Sequence, residues 1–377
     1  MTLFYLLTAI VSAGYLLLIL LYLYGWIKTP ANQGAPLTIK HQPLTIVSII
    51  VPARNEEQNI ENCLNAIHRQ KYPENLFEVI VVDDHSTDRT AGLVREMNRS
   101  NLRIIGLQEG EAGKKQALSQ GIKNAKGDLI ITTDADCTMG ENWLASVVAF
   151  YEEKKPKMIV GPVLLQGENS LQEILQGQEM TILTACACAA IRWNRPILCS
   201  GANLAYEKSA FLALNGFDDT KKTATGDDVF LMLKMQERFP GGIGYLGSLD
   251  AIVFTHPQRT SAQALKQRKR WASKTFLYGF SYVTGIAVLI FLTNFLILFS
   301  GIMSAINLKF VWIPAICFFA KFLVDLMLVY SASSFFGKKF NPVVFMIFSI
   351  VYPVYVSFTG LISPLTRYSW KGRTSGV

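Results

Sequence analysis

The sequence predicts an α/β domain with a parallel sheet, inserted between one N-terminal transmembrane helix and a C-terminal cluster of transmembrane helices. Three observations predict this architecture. Short apolar runs alternate with amphipathic stretches through residues 45–133, uncharged runs lie at both ends of the chain, and hydrophobic residues make up 50% of the 377 residues against 17% charged. This composition excludes a disordered chain, a collagen-like chain and a disulfide scaffold.

The N-terminal transmembrane helix is predicted over residues 1–27. This run carries no charge and ends in two tyrosines and a tryptophan before Lys28, side chains that prefer the level of the lipid headgroups. It is too long for a cleaved signal peptide and lacks the basic start of one, so we expect it to remain as an anchor. A linker containing proline and glycine follows over residues 28–44.

The central domain is predicted over residues 45–274. Its first half alternates between two kinds of segment, with strands at 45–51, 78–82, 103–107 and 129–133 and helices at 57–69, 89–98 and 115–125. Strands that alternate with helices form a parallel sheet that is covered on both faces. Ligands of such sheets lie beyond the carboxyl ends of the strands.

Polar side chains follow three of these strands, in segments 52–57 and 83–88 and at Asp134 and Asp136. One acidic strand end is usually explained as a helix cap, but three at one edge exceed what capping requires. Carboxylates one residue apart suit Mg²⁺ or Mn²⁺, which also bind phosphates. Lys114, after two glycines and before a helix, adds a cation suited to a diphosphate.

Three C-terminal transmembrane segments are predicted within residues 275–366, followed by a basic tail over 367–377. The middle segment contains Lys321 and Asp325, which share one helix face at a spacing of four. Two interpretations of this pair stay open: a structural couple that neutralises itself, and a contact for the acceptor or product.

The membrane topology also stays open. Four spans place both termini opposite the central domain, and the basic tail then conflicts with the preference of cationic loops for the cytoplasm. Either the uncharged run 275–308 is not one simple span, or the last segment is re-entrant. Residues 171–190 are predicted to form an interfacial helix instead of a span, because glutamines and glutamates interrupt their first half.

The net charge of +8 suits nucleic acid, anionic lipid or a phosphorylated small molecule as partner. Five cations in the segment 266–274 precede a membrane segment, which favours lipid headgroups or a diphosphate, so no nucleic-acid partner is expected. The six cysteines lack zinc-site spacing and are predicted to be reduced, buried thiols.

Eight short motifs occur in a specific order. They are PARNE at 52–56, VDDHSTD at 82–88, GKK at 113–115, AKGD at 125–128, DAD at 134–136, GAN at 201–203, TGDD at 225–228 and QRKRW at 267–271. In this order the chain resembles, over residues 47–271, family 2 glycosyltransferases of the GT-A fold. The resemblance is to the membrane-integrated branch that includes cellulose, hyaluronan and poly-N-acetylglucosamine synthases.

The resemblance implies a metal-dependent, inverting glycosyltransferase that moves a sugar from a nucleotide-diphosphate sugar, with UDP favoured, to a lipid-linked or growing polysaccharide acceptor. The implied nucleotide-sugar-binding residues are Pro52, Arg54, Glu56, Asp83, Asp84, Lys114 and Asp134. Asp136 is implied as the ligand of Mg²⁺ or Mn²⁺, and the loop 201–203 as the acceptor-side wall. The implied catalytic residues are Asp228 as general base, and Gln267, Arg270 and Trp271, which close over the diphosphate and stack at the acceptor.

The chain departs from the large polymer synthases in having fewer predicted spans, which puts self-export in doubt. Three alternatives follow: a processive polysaccharide synthase that needs a partner for export, a homo-oligomer, and single transfer to a lipid carrier. A non-catalytic nucleotide-sugar-binding membrane sensor or transport component is the alternative from another class. The expected location is a bacterial inner membrane, as a multi-pass protein in contact with the lipid bilayer and with its catalytic domain on the cytoplasmic side.

Overall fold

The structure is a computed structural model that describes residues 2–29, 45–167, 170–217, 227–275, 281–362, 368–370 and 373–375. The chain forms two compact units. The first comprises residues 1–28, 167–189 and 257–377, and the second comprises residues 29–166 and 190–256. Most of the predicted linker and parts of the predicted tail lie outside the described residues, as do Thr225 and Gly226. The predicted domain of residues 45–274 contributes segments to both units.

The helices and strands follow the chain in this order. The helices are α1 (Thr2–Lys28), α2 (Ile60–His68), α3 (Thr90–Glu96), α4 (Lys114–Asn124), α5 (Trp143–Lys154), α6 (Leu171–Arg192), α7 (Lys208–Ala213), α8 (Asp227–Arg238), α9 (Ser261–Thr275), α10 (Tyr282–Ser304), α11 (Trp312–Phe335) and α12 (Pro342–Ile362). The strands are β1 (Val47–Ala53), β2 (Phe77–Asp83), β3 (Leu102–Gly106), β4 (Leu129–Thr132), β5 (Thr138–Met139), β6 (Met158–Val160), β7 (Val163–Leu165), β8 (Leu204–Glu207), β9 (Ile243–Tyr245), β10 (Val253–Thr255), β11 (Tyr368–Trp370) and β12 (Arg373–Ser375).

The main sheet of the second unit has the strand order β3-β2-β1-β4-β8-β6-β9. Strands β1 to β4 are parallel to one another, as the alternation of strands and helices predicts, so their carboxyl ends meet at one edge. Strand β8 is antiparallel to both of its neighbours. A smaller sheet contains β5, β10 and β7. The predicted α/β fold is confirmed.

The core of this unit is aliphatic. Residues of β1, β2 and β4 are almost entirely buried, because the sheet carries helices on its faces and these strands are mostly apolar. Burial of one such side chain contributes about 1.5–3 kcal/mol. Among the described residues the cysteines are all buried, and no disulfide joins them.

Gly127, in the turn before β4, lies against the backbone of β1. A Cβ at this position would lie 2.6 Å from Ser48 N and 2.8 Å from Ile46 O. We expect Gly127→Ala to lower the free energy of unfolding by about 1–3 kcal/mol, because backbone atoms cannot move aside cheaply. Thermal unfolding followed with a thiol-reactive dye would measure this change, since unfolding exposes the buried cysteines. Gly92→Ala is the control, since no atom lies within 4 Å of its Cβ; equal stability of both variants would contradict the prediction.

The first unit contains the long apolar helices. Five described helices are long and apolar enough to cross a membrane by length and composition: α1, α6, α10, α12 and the helical segment Leu308–Phe335, which includes α11. Within the uncharged run 275–308, α9 ends at Thr275 and α10 begins at Tyr282, so the described part of this run supplies one helix of span length.

The strands on either side of helix α6 in the chain pair with each other. Strand β6 precedes it and strand β8 follows it, and these two strands are hydrogen-bonded neighbours in one sheet. A crossing helix would leave them on opposite sides, and the loop after α6 contains Arg195 and is too polar to return through the hydrocarbon. This connectivity supports the predicted interfacial helix.

A charged cluster lies between the apolar helices of the first unit. Lys321 Nζ donates to Asp325 Oδ2 at 2.6 Å, and the Tyr15 hydroxyl of α1 donates to Asp325 Oδ1 at 2.8 Å. The ammonium also lies over the rings of Tyr15 and Tyr352. The two charges therefore neutralise each other, as the structural interpretation of the pair requires, and they connect α1 to α11. A role toward acceptor or product stays a prediction.

Candidate functional site

The carboxyl-end edge of the main sheet carries most of the predicted binding residues. Ala53 at the end of β1 is the register partner of Asp83 at the end of β2. Beyond these ends the backbone stays connected, since Asp84 N–H donates to Ala53 O at 2.9 Å and Thr133 N–H donates to Ile50 O at 3.2 Å. The segments after β1, β2 and β4 therefore start side by side.

The loop after β1 is held by the loop after β2. Asn55 has a φ of 52°, a left-handed conformation that asparagine tolerates well. Its N–H donates to Ser86 Oγ, and its Oδ1 accepts from Thr87 N–H at 2.8 Å. The Glu56 N–H donates to Thr90 Oγ1 at 2.8 Å. These side-chain bonds fix the PARNE and VDDHSTD segments as one surface.

Asp84 bridges two neighbouring loops. It is 3% exposed, its Oδ2 accepts from Gly113 N–H at 3.0 Å, and its Oδ1 lies 3.8 Å from Arg54 Nη1. Arg54 also donates to the backbone carbonyl of Asp84. The adjacent Asp83 accepts from Ser86 N–H at 3.3 Å through one oxygen, and its buried Oδ1 has no hydrogen-bond partner among the described residues. Buried carboxylate oxygens are normally hydrogen-bonded, so a ligand N–H or O–H would satisfy this atom.

A compact ionic cluster connects β4, α4 and α8. Lys114 Nζ lies 2.5 Å from Asp134 Oδ1, although the two residues are 20 positions apart. A Cβ at Gly201 would lie 3.2 Å from the same ammonium and 3.8 Å from Asp228 Cβ. Gly201 N–H in turn donates to Asp228 Oδ2 at 3.2 Å, and Val229 N–H donates to Asp228 Oδ1 at 2.9 Å. The glycine therefore lets a lysine and the predicted base approach the same loop.

Both members of the Lys114–Asp134 pair are partly exposed, with side-chain exposures of 23% and 35%. Their charges are thus accessible to a phosphorylated ligand. In water such a pair contributes about 0–1 kcal/mol to stability, so an incoming diphosphate can compete for the lysine at little cost. The geometry suits an ionic site for the diphosphate.

Asp136 is the half-buried second carboxylate of the DAD motif. Burial raises the pKa of its carboxyl above the ordinary value, and the charges of Asp134 and Glu56 raise it further. The hydrogen bond from Thr255 Oγ1, at 3.2 Å, and the charge of Lys114 act in the opposite direction. An excess of negative charge therefore surrounds Asp136 when every carboxylate is ionised.

This excess suits a divalent cation. The described residues contain no group of three or more His, Cys, Asp and Glu side chains that could hold a metal by themselves. Mg²⁺ and Mn²⁺, however, are commonly held by one or two carboxylates together with substrate phosphates and water. Asp136, with Asp134 beside it, offers such a donor set, so the residues fit the predicted metal.

Gly201 and Asn203 of the GAN loop lie in different environments. Asn203 is 2% exposed, and its amide donates to Pro162 O and Ala251 O, both at 2.9 Å, while its Oδ1 accepts from Trp143 Nε1 at 3.1 Å. All of its polar atoms are satisfied within the core. Its side chain therefore has a structural role in the core of the unit, whereas Gly201 contacts Asp228, and an acceptor-side wall formed by this loop stays a prediction.

The remaining predicted catalytic residues lie on α9, in the first unit. Gln267 Oε1 accepts from Arg268 Nη1 at 2.6 Å, and the Arg268 guanidinium lies 4.3 Å from the centre of the Trp271 ring. Arg270 is on the same helix, and its backbone carbonyl accepts from Ser273 Oγ. Of these three predicted catalytic side chains, Gln267 and Trp271 are therefore linked through Arg268.

Three residues were not predicted from the sequence in the roles that the structure gives them: Thr255, Gly201 as a contact of Asp228, and Arg268. Thr255 ends β10 and follows a short apolar run, so the rule that finds polar strand ends could have found it. Gly201 and Arg268 lie inside quoted motifs, but their partners are 27 and 89 positions away in the chain. No local pattern predicts such distances.

Comparisons with known proteins identify relatives of the chain and a similar fold. Residues 48–211 match the family model described as glycosyl transferase family 2. The chain is 23% identical to a poly-beta-1,6-N-acetyl-D-glucosamine synthase of Staphylococcus epidermidis, over 88% of this chain and 85% of that protein. It is 37% identical to glycosyltransferase AglE of Haloferax volcanii, over 27% of this chain and 34% of that protein.

A solved structure has a similar fold along nearly the whole chain. It is the mannosyltransferase PcManGT from Pyrobaculum calidifontis in complex with GDP-Man and Mn²⁺, with a TM-score of 0.61, 18% identity, and coverage of 96% of this chain and 99% of that chain. The first curated relatives are matched less completely. The chain spans about a third of AglE and 54% of the probable glycosyltransferase YdaM of Bacillus subtilis.

Proposed function

We propose that the chain, whose residues 48–211 match the glycosyl transferase family 2 model, transfers a sugar from a nucleotide-diphosphate sugar to a lipid-linked or polysaccharide acceptor, in a metal-dependent reaction that inverts the anomeric centre. UDP-sugars are the first donors to consider. The poly-N-acetylglucosamine synthases among the relatives make UDP-N-acetylglucosamine a reasonable candidate.

One observation carries the proposal. Lys114, which pairs with Asp134, and Asp228 both lie beside Gly201: a Cβ there would be 3.2 Å from Lys114 Nζ, and Gly201 N–H donates to Asp228 Oδ2 at 3.2 Å. A cation for a diphosphate and a carboxylate for a hydroxyl proton are the two groups that a single displacement at a sugar carbon requires.

The proposed reaction has one chemical step. Asp228 accepts the proton of the acceptor hydroxyl while the hydroxyl oxygen attacks the anomeric carbon. The bond from that carbon to the phosphate oxygen breaks, and the nucleoside diphosphate leaves with the bonding electrons. Since attack and departure occur on opposite faces, the configuration inverts.

Two sets of side chains stabilise the leaving charge. Lys114 supplies positive charge for the diphosphate oxygens, and the resemblance assigns Arg270 the same role. Asp136, with Asp134, would hold Mg²⁺ or Mn²⁺, which as a Lewis acid neutralises charge on the diphosphate. Asp83 Oδ1, which is buried without a partner, is positioned to accept from the donor nucleotide.

The acceptor is proposed to be membrane-linked. The long apolar helices of the first unit give the chain an extended lipid-facing surface, and α6 enters and leaves on one side. A multi-pass protein of the bacterial inner membrane with the α/β unit in the cytoplasm, where nucleotide sugars occur, suits this arrangement. A processive synthase that needs a partner for export is the second candidate, favoured by the relative that aligns over 88% of the chain.

The test is turnover of a donor panel by the full chain in native lipid with Mn²⁺ or Mg²⁺. UDP-N-acetylglucosamine, UDP-glucose and GDP-mannose are each supplied, and products are separated into free sugar, glycolipid and polymer. We expect one donor to give metal-dependent glycolipid or polymer. Donor binding without any product, when acceptor lipids are supplied, would contradict the proposal and support a non-catalytic nucleotide-sugar-binding component.

A further inference from the structure

Arg268 is buried between two residues with proposed catalytic roles. It occupies the second position of the QRKRW motif, and its side chain is 8% exposed. Its Nη1 donates to Gln267 Oε1 at 2.6 Å, and its guanidinium carbon lies 4.3 Å from the centre of the Trp271 ring. One side chain therefore contacts the glutamine and the tryptophan together.

The charge of Arg268 is neutralised by Glu179 of α6. Arg268 Nε and Nη2 both donate to Glu179 Oε2, at 2.8 Å and 2.5 Å, and the glutamate side chain is 19% exposed. Charge-assisted bonds of this length are strong and directional. A buried guanidinium that lost this partner would be left with an uncompensated charge, which is costly.

Helix α6 is itself fixed to the segment that leads into α9. Gln176 Nε2 donates to Gln258 O at 3.1 Å, and Gln258 N–H donates back to Gln176 Oε1 at 2.9 Å. Gln172 Nε2 donates to Gln258 O, and its Oε1 accepts from Ser261 Oγ. Glu179 therefore belongs to a helix face held in register with α9, and it offers Arg268 a fixed anchor.

We propose that the Arg268–Glu179 pair positions Gln267 and Trp271 for sugar transfer, with Arg268 as a positioning residue. This inference rests on the proposed transferase function. The guanidinium suits the task because its planar fork can donate in three directions while one face stacks on an aromatic ring. A lysine ammonium keeps the charge but cannot make this combination of contacts.

The test combines kinetics with fluorine NMR on the full chain in lipid nanodiscs. Glu179→Gln, Arg268→Lys and the double variant are compared with Tyr5→Phe, a control that removes a buried hydroxyl contact with Ser304 elsewhere in the first unit. We expect kcat to fall by about 10–100-fold in both single variants, because a small misplacement of reacting groups has an effect of this size. The fall in kcat should exceed any rise in the donor KM, because the nucleotide contacts of the second unit remain while Gln267 and Trp271 are displaced.

The double variant should be no slower than the slower single variant, because the two residues act as one unit. In protein labelled with 5-fluorotryptophan, the resonance assigned through Trp271→Phe should move in the Glu179 and Arg268 variants and stay in place in Tyr5→Phe. An unchanged resonance, or a moved resonance with wild-type kcat, would overturn the positioning role. Absence of turnover in the wild-type chain would instead contradict the proposed function, and the resonance would still report on the contact.

Discussion

Asp228→Asn is expected to bind the nucleotide-sugar donor normally and to transfer sugar about 10²–10⁴-fold more slowly. The amide has the shape of the carboxylate but cannot accept a proton from the acceptor hydroxyl. Its oxygen can still accept from one of the two backbone N–H groups, of Gly201 and Val229, that donate to Asp228, and the Lys114–Asp134 pair is unchanged, so donor binding should persist. Calorimetric titration of the donor with Mn²⁺ and a coupled nucleotide-release assay measure the two effects separately.

The matched control for this variant is Asp250→Asn, because Asp250 accepts a side-chain hydrogen bond from Asn142 at 3.3 Å and has no proposed role in transfer. We expect it to keep both donor binding and turnover. Turnover of Asp228→Asn at the wild-type rate would show that another group removes the proton. Loss of donor binding together with turnover would show that Asp228 organises the donor site.

Asp136→Asn is expected to lower metal-dependent donor affinity by at least about 10–100-fold, the loss typical of residues that merely support a metal ligand. Removal of one carboxylate leaves Asp134 as the nearest anionic donor for a divalent cation. Titration of Mn²⁺ into the protein with UDP, followed by electron paramagnetic resonance, measures this loss. Unchanged Mn²⁺ retention would remove Asp136 from the metal site.

The same variant is expected to raise the unfolding temperature of the ligand-free protein at neutral pH. Burial and the charges of Asp134 and Glu56 raise the pKa of the Asp136 carboxyl, so folding disfavours its ionised form. The stability contribution of this group therefore increases as pH falls through its folded pKa, and a neutral amide removes the penalty at pH 7. A lower unfolding temperature at pH 7 would contradict this interpretation. Such exchange of stability for binding is common at functional sites.

The sheet edge and its charged residues could be predicted from the sequence, because they depend on local patterns. Apolar runs of four to seven residues alternate with helical stretches, and carboxylates follow three of them, which predicted the sheet edge with Asp83, Asp134 and Asp136. Lys114 was predicted as a diphosphate cation from its place after a glycine and at the start of a helix, and the structure pairs it with Asp134.

Other parts depend on tertiary contacts that no local period encodes. The insertion of antiparallel β8 between β4 and β6 follows from packing of distant segments. Asn203 lies in the GAN motif, yet its amide nitrogen donates to two backbone carbonyls in the core. The polar residues of α6 predicted an interfacial helix. The stronger support for this prediction is tertiary, because the strands that precede and follow α6 in the chain pair in one sheet.

The anomeric configuration of the transferred sugar tests whether transfer proceeds by a single displacement assisted by Asp228. The full chain in native lipid is supplied with an α-linked nucleotide-sugar donor and Mn²⁺, and the new glycosidic bond is assigned by NMR from its one-bond C–H coupling. Single displacement assisted by Asp228 predicts a β-linked product. An α-linked product would contradict single displacement, because retention requires a second displacement or attack on the face from which the diphosphate leaves. One carboxylate base beside a diphosphate site does not supply the groups for either route.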